Sequence, residues 1–230
     1  MPDPVQVRAM FARVAPRYDL ANRVLSLGID RSWRRSAVRE TGVRPGERAL
    51  DLCAGTGDLA LALARAGARV VGADFCLPML ALAGTKPGPV RGELPRYVNA
   101  DAQHLPFGDA SFDLATVAFG IRNVADPVAG LAEMRRVVRP GGRVVVLEFC
   151  RPRGPLFGPL FGFYFHRVLP RLGGLLTGDR SAYAYLPASV QAFPERDEFL
   201  EWMRRAGLAA PRYRLLTGGI AALYRAEVQA

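Results

Sequence analysis

The stretch ALDLCAGTGDLALALARAG, residues 49–67, constrains the fold more than any other. An apolar run (Ala49, Leu50, Leu52) enters a Gly-Thr-Gly turn, and apolar residues at helical spacing follow until Gly67. A strand–turn–helix unit of this kind leaves bare backbone at a strand end, where a ligand can approach closely. The neighbouring residues narrow the ligand. A phosphate-cradling loop needs G-x-x-x-x-G-K-[ST], and no lysine is near Gly55 or Gly57 in the sequence. A dinucleotide fingerprint needs G-x-G-x-x-G, and the third glycine position holds Ala60. Asp51 before the turn and Asp58 after it repel a pyrophosphate and favour a ligand carrying ammonium and sulfonium charge.

The rest of the chain repeats the alternation. ARVVGAD, RYVNAD, FDLATVAFG and RVVVLEF read as strands, separated by helical patterns such as CLPMLALAG. In DPVAGLAEMRRVVRPGG, Asp126 is the expected N-cap, Pro127 the first helical residue and the Gly pair the stop. Apolar strands alternating with helices predict a parallel sheet covered on both faces. RYRLLTGGIAALYRAE reads as a hairpin, so at least one closing strand is antiparallel. Residues 5–40 read as helices, broken at Pro16 and Gly28. We expect one domain over 1–230: an N-terminal helical lid (1–45), a core (46–149), an acceptor-side insertion (150–194), and a closing helix and hairpin (195–230).

Cys53, Cys76 and Cys150 lie far apart and only two histidines are present, so we expect neither a disulfide framework nor a metal site. The opening residues carry no apolar signal region, and Pro159, His166, Arg167, Pro170 and Arg171 interrupt the apolar run 155–176, which argues against a membrane span. The net charge is +10, with Lys86 the only lysine. That excess favours anionic surfaces. A nucleic-acid partner is not expected, because the aromatics gather with Gly and Pro in the insertion and do not alternate with arginines.

Asp51, Asp74 and Asp101 end three successive strands and so share one crevice at the carboxyl edge of the sheet. Each alone also suits a turn or helix cap. Together with the glycine loop, they resemble the class I methyltransferases that use S-adenosylmethionine. That resemblance implies a Rossmann-like, seven-stranded, mostly parallel α/β sheet with an antiparallel last strand. It implies cofactor contacts at Asp51, Gly55, Thr56, Gly57, Asp74, Asp101 and Ala102.

Narrower motifs run almost end to end: MFARVAPRYDLANRVLSLGIDRSWRR (10–35), FGIRNVAD (119–126), RPGGRVVVLEF (139–149) and YFHRVLPRLGG…AYAYLPASVQAFP (164–194). These resemble the menaquinone and ubiquinone C-methyltransferase family. The implied activity is methylation of a ring carbon of a polyprenylated quinol, in menaquinone biosynthesis by preference. The ubiquinone-pathway step, or another apolar acceptor, is the alternative. Some relatives have serine where this chain has Ala118, which removes a side-chain hydroxyl contact.

The reaction needs two groups aligned and a phenolate stabilised. Arg122, just past the fourth strand, is the expected oxyanion partner, with Asn123 orienting it. Tyr18, His166, Tyr183 and Tyr185 are the expected acceptor-side residues. Tyr18 serves equally in helix packing, and His166, although an imidazole is a usual general base, serves equally as a structural group. Phe157, Leu160, Phe161, Phe163, Phe165 and Leu169 form the expected greasy entrance, with Arg153, Arg167 and Arg171 facing lipid headgroups. The expected location is cytoplasmic and peripheral to the inner face of the membrane. Oligomeric state stays open, a homodimer among the options.

Overall fold

A computed structural model describes residues 3–89, 92–155 and 157–229, with the Phe157 side chain also outside the description. Seven strands form one sheet in the order β3-β2-β1-β4-β5-β7-β6. They are β1 (Arg48–Leu52), β2 (Arg69–Asp74), β3 (Arg96–Asn99), β4 (Phe112–Ala118), β5 (Val138–Phe149), β6 (Ala209–Leu216) and β7 (Ala221–Glu227). The first five pair in parallel, while β7 runs antiparallel to both neighbours. The expected mostly parallel sheet and closing hairpin are both present, with Leu216 opposite Ala221 across the turn.

Alternation along β5 shows why its run is apolar throughout. Val144 and Val146 join one core cluster, with Leu131 and Met134 of α6 (Pro127–Val137) and Phe199 and Met203 of α10 (Asp197–Arg205). Val145 and Leu147 join another, with Trp33 and Ala37 of α3 (Ile29–Thr41) and Leu59 and Leu63 of α4 (Asp58–Arg65). Both faces are therefore buried. Asp126 caps α6 as expected, its carboxylate accepting from Val128 and Ala129 N–H at 2.9 and 3.1 Å. The helix ends at Val137, before the Gly pair, because the chain joins β5 already at Val138.

A third cluster closes the carboxyl ends of the strands. It joins α1 (Pro4–Val14) and α2 (Tyr18–Leu25) to the insertion, which folds as α7 (Phe157–Phe163), a π-helical turn at Tyr164–Val168, α8 (Leu169–Thr177) and α9 (Arg180–Ala192). Cys76 and Met79, at the end of β2 and in α5 (Leu77–Thr85), and Phe149, ending β5, anchor it to the sheet. Two hydrogen bonds tie α2 to the insertion: Tyr164 hydroxyl to Leu25 carbonyl at 2.7 Å, and Arg17 to Leu176 carbonyl at 3.3 Å. Among the described residues, no helix is long and apolar enough to cross a membrane.

Candidate active site

Two pockets meet above the carboxyl edge of the sheet. The first encloses about 750 Å3, counting its open mouth, between the ends of β1, β2 and β4 and the N-terminal helices. Gly55, Asp74, Asp101, Ala102 and Asn123 line it, together with Cys53, Phe75, Met79 and Gln103. Asp74 is 7% exposed. Its two carboxylate oxygens accept from the backbone N–H of Gly55 and of Cys76, each at 2.8 Å. Burial pushes its carboxyl above the usual range, against those hydrogen bonds. Gly55 has φ +54°, and a Cβ there would enter open space, so the loop presents bare backbone to the pocket. Asp101 is exposed and accepts from Gln103 N–H at 2.9 Å.

Other expected cofactor residues lie elsewhere. Asp51 is 1% exposed and off the pocket wall. Alternation turns it away from Leu52, toward α3 and α4, where it accepts from the Thr116 hydroxyl at 2.9 Å. Thr56 is 4% exposed and donates its hydroxyl to Asp19 of α2 at 2.6 Å. Gly57 (φ +79°) packs against Tyr97, whose hydroxyl would lie 2.3 Å from a Cβ. These three build the loop and its support. A lysine does reach the loop, although the sequence around it has none: Lys86 bridges Asp58 and Asp19, both at 2.6 Å.

The second pocket is larger, about 1360 Å3 including its mouth, and largely apolar. It shares Phe11, Tyr18 and Phe119 with the first, so these side chains separate and join the two spaces. Tyr183, Tyr185 and Arg122 line it, as do Phe161, Phe165 and Leu169 of the insertion. Tyr183 packs face-on against Gly173, where a Cβ would lie 2.2 Å from its ring. His166 is exposed and lines neither pocket, because the π-helical turn points its neighbour Phe165 inward instead. Leu160 and Phe163 are also exposed, at 64% and 63%.

Beside these aromatics, a polar cluster links Asn123 of the first pocket to Tyr185 and Arg122 of the second. Tyr185 donates its hydroxyl to Asn123 Oδ1 at 3.0 Å. Arg122 is ion-paired with Glu148 at 2.7 Å and also donates to the Phe119 carbonyl and, at 3.3 Å, to the Ser189 hydroxyl. Glu148, next to last in β5, is 1% exposed and has its carboxyl raised by burial against the pull of Arg122. Burial likewise raises the Tyr185 hydroxyl and the Cys53 thiol. Sequence reasoning missed Glu148, Cys53 and Phe119. Cys53 and Phe119 both have positive φ, +51° and +58°, a strained geometry that residue type does not announce. Gly120 follows Phe119 because a Cβ there would lie 2.3 Å from that of Cys53.

This topology and glycine-loop crevice define the class I S-adenosylmethionine-dependent methyltransferases. Solved methyltransferase structures share the fold: a putative methyltransferase bound to the Trm112 activator from Haloferax volcanii (TM-score 0.66, 18% identity, covering 96% of this chain and 98% of that one), and a possible histamine N-methyltransferase from Thermotoga maritima (0.65, 20%, 96% and 99%). Residues 3–227 match the model of the ubiE/COQ5 methyltransferase family, and the chain belongs to that family. Its relatives include demethylmenaquinone methyltransferases of Deinococcus radiodurans (51% identity, covering 95% of this chain and 90% of the relative) and Thermus thermophilus (52%, 94% and 98%). A ubiquinone/menaquinone biosynthesis C-methyltransferase of a Geobacter species is 49% identical over 95% of this chain and 94% of the relative.

Proposed function

We propose that this chain transfers a methyl group from S-adenosylmethionine to a ring carbon of a polyprenylated quinol, demethylmenaquinol in the first instance. One observation carries the reading: a crevice with an Asp74 carboxylate at its β2 end opens, past Phe11, Tyr18 and Phe119, onto a large apolar pocket. When bound, the donor supplies an electrophilic methyl carbon on a sulfonium. Asp74 retains lone pairs for two ribose hydroxyls. Asp101 and buried Ala102 frame the adenine end, Gly55 offers backbone to the methionine end, and Ala118 offers backbone only. Thr56, Gly57 and Asp51 act indirectly by holding the loop.

The acceptor carbon becomes nucleophilic as an adjacent hydroxyl gives its proton to water before the lid closes. With the methyl group gained from sulfur, S-adenosylhomocysteine would leave and the ring carbon would lose its own proton, restoring the aromatic ring. Arg122 sets positive charge beside the oxygen that gains charge, with Glu148 fixing the guanidinium and Asn123 and Tyr185 completing the wall. Tyr18 and Tyr183 pack the ring, and the N-terminal helices act as a lid that keeps water out. The isoprenoid tail leaves along Phe161, Phe165 and Leu169. The exposed apolar side chains around that mouth support a peripheral position on the cytoplasmic face of the membrane.

The test is methyl transfer from labelled S-adenosylmethionine to short-tailed demethylmenaquinol, kept reduced, beside the demethylated ubiquinol precursor. Transfer to the naphthoquinol alone is expected. Transfer to the benzoquinol alone moves the chain to the ubiquinone pathway, and transfer to neither removes the quinol assignment.

A further inference from the structure

The motif GIDRSWRR, residues 28–35, has no part in the chemistry above, yet four of its residues line the acceptor pocket, Asp30 and Arg34 among them. Asp30 is 8% exposed as a residue. It accepts from the Ser26 hydroxyl at 2.7 Å and is ion-paired with Arg34 one helical turn later. The Arg34 side chain is 13% exposed. Its guanidinium lies over the Phe119 ring at 5.8 Å. Arg122, which lines the same pocket, lies over the Phe149 ring at 5.3 Å. The two rings are themselves packed together, centroids 4.5 Å apart. An aromatic pair is thus flanked by two arginines, each held by a buried carboxylate, and both arginines open on one pocket.

The two cations differ in what they have left to give. Arg122 spends its donors on Glu148, the Phe119 carbonyl and Ser189. Arg34 has one hydrogen bond among the described residues, from Nη1 to Asp30. A guanidinium carries five N–H donors, and mostly buried donors need acceptors. Asp51 and Asp58 feel the charge of Arg34, but neither accepts a hydrogen bond from it. Arg34 lines the pocket, so its remaining N–H groups are available to an acceptor there.

We propose that the pocket grips its acceptor by two oxygens on opposite sides of the ring, and that Arg34, oriented by Asp30, binds the oxygen farther from the methylated carbon. The pair then selects 1,4-diols over monohydroxy rings of the same shape. This rests on the quinol reading of the pocket and adds the residue that recognises the second hydroxyl. A second oxygen remote from the reacting carbon contributes little electronically to that carbon, so its contact serves orientation. An apolar side chain in place of the cation does not reproduce it.

The experiment compares short-tailed demethylmenaquinol with an analogue in which the distal hydroxyl is replaced by hydrogen. Wild type, Arg34→Met and Arg34→Lys are measured for kcat/KM, and donor affinity by calorimetry with S-adenosylhomocysteine. Wild type is expected to favour the diol, and Arg34→Met to lower that preference by about tenfold to hundredfold, as for a lost charge-assisted hydrogen bond. Arg34→Lys, which keeps the charge without the fork, should fall between. Equal losses on both acceptors overturn the proposal. So does weakened S-adenosylhomocysteine binding with unchanged preference, which assigns Arg34 to the donor. Should Arg34→Met not fold, Arg34→Lys and competition by the methylated quinol against its deoxy analogue in wild type decide, equal inhibition being the adverse result. Wild-type transfer to neither ring removes the quinol reading and this proposal with it, whereas transfer with an unaltered ratio removes this proposal alone.

Discussion

The Asp51 carboxyl lies in the layer between the sheet and α3 and α4, one oxygen bonded to Thr116 and the other without a partner among the described residues. Burial, acting against the Thr116 hydrogen bond and the charge of Arg34, lifts its pKa from 3.8 to about 7. The sign of the linkage follows. Below pH ~4 the group is protonated in both folded and unfolded chains. Between ~4 and ~7 the unfolded chain releases the proton and the folded chain keeps it, so stability falls as pH rises; above that window both are ionised and the loss is complete. A shift of this size corresponds to roughly 4 kcal/mol. Asp51→Asn removes the titration. Its stability relative to wild type, measured by urea unfolding, should therefore improve from pH 4 to pH 7 by a few kcal/mol. A difference that stays flat across that range contradicts the buried, protonated Asp51.

At the scale of elements, α2 is fastened to the glycine loop by a chain of polar contacts. Thr56 donates to Asp19, and Lys86 bridges Asp19 to Asp58 at the start of α4. These side chains are 19–39% exposed, so the bridge is partly screened. Lys86→Met should cost only about 0.5–1 kcal/mol in global stability. It should nonetheless speed amide exchange across Tyr18–Leu25 while leaving β1 and β4 protected, because α2 borders both pockets through Tyr18. Uniform change along the chain, or none in α2, contradicts the fastening. The elements themselves were readable: apolar strands, the Asp126 cap and the Thr217-Gly218-Gly219 turn each have a local cause. The Asp74 and Asp101 positions were readable too, since parallel topology brings strand ends to one edge. Which face a residue takes was not. Asp51 follows Leu50 in sequence yet points to the opposite layer, and Lys86, Glu148 and Arg34 reach their partners only through tertiary packing. His166 was misplaced for the same reason, since one extra residue in the π-helical turn decides what faces inward.

For the whole molecule, the acceptor pocket opens among side chains that water does not favour. Leu20, Val24 and Leu27, in and just beyond α2, are 54%, 44% and 85% exposed, and Leu172 and Leu175 of α8 are 42% and 80%. α2 packs against α8, and Leu160 and Phe163 of α7 are exposed as well. Leu27 itself lines the pocket. Arg23, Arg167 and Arg171 are exposed on the same helices and their connecting turn. Single exposed apolar residues need no explanation, but a cluster rimmed by charge marks an interaction surface. A polyprenylated quinol resides in a bilayer, and a mouth that sits on the bilayer admits the ring without exposing the tail to water. Three arginines at ~1 kcal/mol each near an anionic surface amount to about a hundredfold in partitioning. Cosedimentation should therefore show binding to phosphatidylglycerol vesicles that exceeds binding to phosphatidylcholine vesicles by about that factor at low salt and shrinks as salt screens the charges. Leu175→Ser combined with Leu27→Ser should weaken binding to both vesicle types and raise the KM for a long-tailed acceptor, leaving the short-tailed acceptor unaffected, because only the long tail must be drawn from the bilayer. Equal binding to both lipids, or a double variant that handles long and short tails alike, contradicts a membrane contact at this mouth.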